Sequence, residues 1–231
     1  MEYKPASRTL SLILKAVTVL SAAIGLGMTA ASGRNSFMGG SRVFMYFTIQ
    51  SNLLIALICL IGFILLLRKG EIGKAWRVIK LAGTVAITLT GLVFCFVLVP
   101  VLGNGFWNLQ NTLTHVIVPI AAVADWFASG AAKGLRKRSA FFVLIPPFLY
   151  VIYAAIGYVR GWGFSKGVNY PYFFLNWGSP AGVFGFTEGP PFMGCGWWIL
   201  SLMLLILFAG WLYLVLGQIG DKGAEKRKES E

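Results

Sequence analysis

One histidine, three cysteines and eight acidic residues are all that this 231-residue chain holds of the groups that ligate metals, bridge loops or grip a haem. Cys59, Cys95 and Cys195 are too few and too scattered for a disulfide framework, and none has a Cys or His at ligand spacing, so no metal site is expected. A lone histidine also leaves a haem without a second axial ligand of the usual kind, which places a haem or quinone protein low and leaves no cofactor in view. Charge is scarce as well. Only 12% of residues are charged against 57% hydrophobic, with mean hydropathy +0.75, more apolar character than a soluble core of this length needs. The composition is that of an integral membrane protein.

Crossing about 30 Å of hydrocarbon takes about 20 apolar residues in a helix. The chain offers six such runs, roughly 9–30, 43–67, 78–101, 109–128, 141–159 and 197–219. The expectation is therefore an all-α, polytopic membrane protein: one domain, residues 1–231, built as a bundle of six transmembrane helices. A first span cut off as a signal peptide fits less well, because its apolar run is too long and is interrupted by Lys15. Basic residues avoid translocation, and here Lys4, Arg8, the 68–80 and 133–138 clusters and the tail at 220–231 fall on one side. Only Arg34, Arg42, Arg160 and Lys166 fall on the other. Both termini are expected to be cytoplasmic, in a membrane of the bacterial cytoplasmic kind. The same topology accounts for the net charge of +12, so no nucleic-acid partner is expected, and no obligate protein partner is evident.

Polar side chains inside spans carry more information, since each needs a partner or a wet cavity. In "YFTIQSNLL" Thr48, Ser51 and Asn52 share a helix face, and in the fourth run Asn108, Asn111, Thr112, His115 and Pro119 do the same. Counted from the outer ends of their spans, Thr48 and His115 lie level, roughly 8 to 9 Å deep. A hydroxyl beside an imidazole is the least that a nucleophile and its base require. Interhelical hydrogen bonding, which such residues commonly supply in bundles, explains the same residues and is the more ordinary reading of spacing alone. Asp125 stands ten residues beyond His115, about 15 Å along the helix, too far to orient that ring. It is expected instead to form a structural ion pair with Lys15 or with the basic loops. The stripe Thr84, Thr88, Gly91 and Cys95 reads as close helix packing. The outer connection at 160–196, rich in Gly, Pro and aromatics, suits either an interfacial belt or a lid over the polar faces.

The segments "RVFMYFTIQSNLL", "NTLTHVIVPIAAVADW" and "NYPYFFLNWG" resemble the prokaryotic branch of the androgen-induced and androgen-dependent TFPI-regulating protein family, over most of the chain from residue 40 to the last span. That resemblance implies a six-span intramembrane threonine hydrolase of fatty acid esters of hydroxy fatty acids, with Thr48 as nucleophile and His115 as base. Membrane lipids or a fatty-acyl ester would then be its partners. An oxyanion would need donors, and Asn52 and Asn111, one turn from each catalytic position, are the candidates by helical spacing, with Ser51 beside them as a further oxyanion or substrate contact. The rival reading is a non-catalytic lipid-binding, small-solute transport or receptor-like bundle that uses the same polar faces for binding. No inverted repeat supports transport.

Overall fold

The computed structural model describes residues 8–33, 40–68 and 72–229. Lys4, Arg34 and Lys69, counted above among the basic residues, lie outside them. Helix α1 runs Arg8–Gly33, and α2 runs Phe47–Leu67 after a 3-10 turn at Gly40–Met45. Helix α3 runs Lys74–Leu102, α4 covers 109–128, and α5 covers Lys137–Val159, its first turns 3-10 up to Leu144. Helix α6 runs Cys195–Glu229, so helical structure extends into the segment expected to be a charged tail. Among the described residues there is no β-strand, only the isolated bridges Ser165↔Val168 and Phe186↔Met193 in the long connection.

Among the described residues five helices, α1, α2, α3, α5 and α6, are long and apolar enough to cross a membrane, where six were expected. The remaining run is helical over 109–128, yet Gln110, Asn111, Thr112, His115 and Asp125 dilute its apolar character. Surface chemistry agrees with the count. Leu20 and Ile24 on α1, Leu57 on α2, Phe148 on α5 and Phe208 on α6 are all more than half exposed, whereas Lys15, Lys80, His115 and Asp125 are buried. Apolar faces turned outward, with charged side chains drawn inside, suit lipid rather than water, and the chain is in this respect consistent with a membrane protein.

Helix α3 occupies the centre, touching α2, α4, α5 and α6, while α1 packs between α2 and α4. Leu81, Val85 and Ile87 on α3 are fully buried as a result. One core gathers Trp126, Tyr150, Phe174 and Leu214 around α3, and a second joins α1, α2, α3 and α4 through Ala22, Ile55, Ile87 and Val118. At one end, Lys15 of α1 and Lys80 of α3 both reach Asp125 of α4, at 2.6 and 2.7 Å. Ser11 donates to the same carboxylate at 2.6 Å, and Lys80 also donates to Ser129 Oγ at 2.7 Å. The carboxylate therefore pins three helices together.

Candidate active site

Two prolines prepare the other end of the bundle. A proline nitrogen cannot donate to the carbonyl four residues back, and its ring crowds that carbonyl, so the preceding turn must widen or kink. In α3 the turn Phe94–Leu98 is π-helical just before "VP" at 99–100. In α4 the turn Leu113–Ile117 is π-helical just before "VP" at 118–119, with the Val118 N–H donating to the Leu113 carbonyl. Single π turns of this kind are frequent at functional sites. The two wide turns meet: the Phe94 ring lies stacked on the His115 imidazole, centroids 4.0 Å apart. Gly91 lets α3 and α4 approach this closely, because a Cβ there would stand 2.8 Å from the His115 carbonyl oxygen.

His115 is buried, and its hydrogen bonds fix its tautomer. Nδ1 lies 3.0 Å from the Asn111 carbonyl, which can only accept. It lies 3.0 Å from Thr114 Oγ1 as well, and that hydroxyl spends its own proton on the Gln110 carbonyl. Both partners are acceptors, so Nδ1 carries the hydrogen and Nε2 presents a lone pair. Facing that lone pair, at 3.3 Å, is Thr48 Oγ1. A backbone carbonyl thus orients the ring in the manner that a carboxylate does in a serine–histidine–aspartate triad.

Thr48 sits in the first turn of α2, where backbone N–H groups have no helical partner. Its own N–H donates to the Tyr172 hydroxyl at 3.3 Å, which brings the 160–196 connection onto the nucleophile candidate. Around Thr48 opens an apolar crevice between α2, α3, α5, α6 and that connection, lined by Phe47, Val93, Tyr150, Phe174, Leu202 and Met203 among others. It is a narrow crevice, with about 60 Å³ of free interior volume and partly open to the surroundings. The connection divides in two. Phe174 and Leu175 are buried in the core, while Phe184 and Phe186 remain 61% and 74% exposed.

The amides expected beside the pair are differently engaged. Asn52 Nδ2 donates to the Thr48 carbonyl of its own helix at 2.8 Å and to the Thr114 carbonyl at 3.1 Å, so both its hydrogens are spent on backbone carbonyls and the second ties α2 to α4. Asn111 donates its side-chain amide to the Phe106 carbonyl at 2.8 Å and meets His115 through its backbone instead. Ser51 pairs with Thr90 Oγ1 at 2.7 Å and bonds the Thr48 carbonyl at 3.1 Å. Gln50 turns away to the Phe44 carbonyl. Sequence reasoning missed Phe94 and Thr114. Neighbours along a helix do not ordinarily face each other, so spacing gave no sign that the Thr114 hydroxyl would meet the His115 ring. Comparison of the chain with known protein families, with curated proteins and with solved structures finds no match.

Proposed function

We propose that the protein is an intramembrane hydrolase of lipid esters, with Thr48 as nucleophile and His115 as general base. The observation that carries this reading is the Thr48 Oγ1 to His115 Nε2 contact at 3.3 Å, with the opposite ring nitrogen held by the Asn111 carbonyl. An unassisted threonine hydroxyl is too weakly acidic to attack an ester near neutral pH, and a lone pair aimed at it supplies the missing base. In the reaction Nε2 takes the Thr48 proton as Oγ1 bonds to the ester carbonyl carbon. The imidazolium then returns the proton to the departing alkoxide, and water, activated by the same nitrogen, releases the acid from the acyl-threonine. Because the crevice beside Thr48 is walled by aliphatic and aromatic side chains, the acyl part of the substrate is a hydrocarbon chain.

The wider reading follows the sequence resemblance: a prokaryotic relative of the androgen-induced protein family, acting on fatty acid esters of hydroxy fatty acids. In this topology 109–128 is the fourth of six spans, its polar side chains sheltered by α1 and α3, both termini are cytoplasmic, and the host membrane is bacterial. The reacting pair then lies toward the outer leaflet. Labelling of purified protein with a fluorophosphonate probe tests the chemistry. Signal lost in Thr48→Ala and His115→Ala at matched folding, and kept in Ser51→Ala, is the expected result. A folded wild type that neither labels nor turns over esters returns the polar faces to lipid or solute binding.

A further inference from the structure

The hydrolase reading leaves one requirement unmet. Attack on a carbonyl develops negative charge on its oxygen, and the amides nearest the pair, on Asn52 and Asn111, are committed to backbone carbonyls. We infer that Tyr172 is a catalytic residue, its phenol O–H donating to the oxyanion formed when Thr48 attacks an ester. The inference rests on the hydrolase reading and adds to it the electrophilic half of the site.

Three observations support it. First, the Tyr172 oxygen already accepts the Thr48 N–H at 3.3 Å, which brings its hydroxyl to the first turn of the helix that carries the nucleophile. Second, the ring is held on several sides: it stacks on Phe174 with planes 2° apart, stands edge-on to Tyr46 at 5.7 Å and tilts over Tyr150 at 6.3 Å. A donor so fixed needs little reorganisation when charge appears. Third, Tyr172 lines the same apolar crevice as Thr48, so an ester carbonyl within reach of Oγ1 sits beside the phenol. Burial pushes the Tyr172 phenol up, against the lowering effect of its hydrogen bonds with Thr48, so it remains a donor through the neutral range. No proton leaves Tyr172 during the cycle. The hydrogen bond strengthens as the carbonyl π electrons move onto oxygen, and relaxes when the alkoxide leaves with the proton from His115.

Turnover of a p-nitrophenyl acyl ester in detergent micelles tests this, comparing wild type with Tyr172→Phe, Thr48→Ala and, as a phenol control, Tyr158→Phe, whose ring contacts Trp177 instead. Tyr172→Phe should lower kcat by roughly 10²- to 10³-fold with KM changed only a few-fold, the usual cost of one oxyanion donor. Tyr158→Phe should match wild type. Thr48-dependent turnover that survives Tyr172→Phe overturns the inference alone, whereas a wild type without Thr48-dependent turnover overturns the hydrolase reading beneath it. Should Tyr172→Phe fail to fold, 3,5-difluorotyrosine at position 172 keeps the shape and ionises at lower pH. Activity must then fall at high pH earlier than in wild type, and an unmoved profile rejects the role.

Discussion

Both ends of the bundle bury polar side chains, but they spend them differently. Around Asp125, Lys15 donates to both carboxylate oxygens and to Ser11, and Lys80 donates to the carboxylate, to the Asp125 carbonyl and to Ser129. Each ammonium has three partners for its three hydrogens, at distances between 2.6 and 3.1 Å. Around His115 the groups are neutral, the contact to Thr48 is longer at 3.3 Å, and the hydroxyl borders an open apolar crevice. Saturation makes a lock, since a buried charge with every bond made has nothing left to offer a ligand. A neutral pair with one loose contact beside a cavity can exchange that contact for a substrate.

The largest effects expected are opposite at the two ends. Thr48→Ala should reduce ester turnover by roughly 10³-fold or more while leaving thermal stability in detergent nearly unchanged. Asp125→Asn should do the reverse. It strands two buried ammoniums, and breaking a buried ionic cluster from one side costs about 3–5 kcal/mol. Turnover per folded molecule should stay within about threefold, because the site lies some 15 Å further along α4. A stable, well-folded Asp125→Asn protein without activity would abolish the distinction between lock and site.

Much of this contrast was legible beforehand. The spacing of Thr48, Ser51 and Asn52, and of Asn111, His115 and Pro119, identified the two faces, and equal depth anticipated the height at which Thr48 and His115 meet. Lys15 was already expected near Asp125. What spacing could not convey was what each hydrogen bond is spent on. Asn52 and Asn111 lie one turn from the pair, as helical geometry requires, yet backbone carbonyls on α4 and at Phe106 claim their amides. Lys80 enters the sequence reading only as one of the basic residues at 68–80 that set the topology, and spacing does not show that Asp125 draws it into the bundle. Tyr172 reaches Thr48 from 124 residues away along a Gly- and Pro-rich connection whose course no periodicity describes. The fourth helix was found as a helix, but its polar side chains set it apart from the five apolar ones.

An intermediate effect should come from the close approach of α3 to the wide turn at Gly91. Gly91→Ala places a methyl 2.8 Å from the His115 carbonyl and 3.2 Å from Pro119 Cγ, so the turn carrying His115 must move. Overpacking of this kind costs about 1–3 kcal/mol. On the hydrolase reading, displacement of His115 by a fraction of an ångström to 1 Å should lower kcat by roughly 10- to 100-fold. Thermal unfolding and steady-state kinetics on one preparation measure both. Loss of stability without loss of kcat would mean that α3 and α4 adjust elsewhere and that the close approach is packing alone.

The smallest effect is expected at Asn52, and it separates tie from donor most finely. Its two amide bonds join the Thr48 and Thr114 carbonyls, worth about 0.5–1.5 kcal/mol each, while its buried Oδ1 has no partner among the described residues, a cost of about 1–3 kcal/mol. These contributions offset one another, so Asn52→Ala should change stability by no more than about 1.5 kcal/mol. Turnover should fall by less than tenfold, through slackened spacing of α2 and α4 rather than through a lost oxyanion contact. An oxyanion donor removed at the same position would cost roughly 10²- to 10³-fold. A fall of that size, with stability preserved, would mean that the Asn52 amide leaves its carbonyls to meet the substrate, and the polar cluster around Thr48 would then be a site that rearranges on binding rather than one already set.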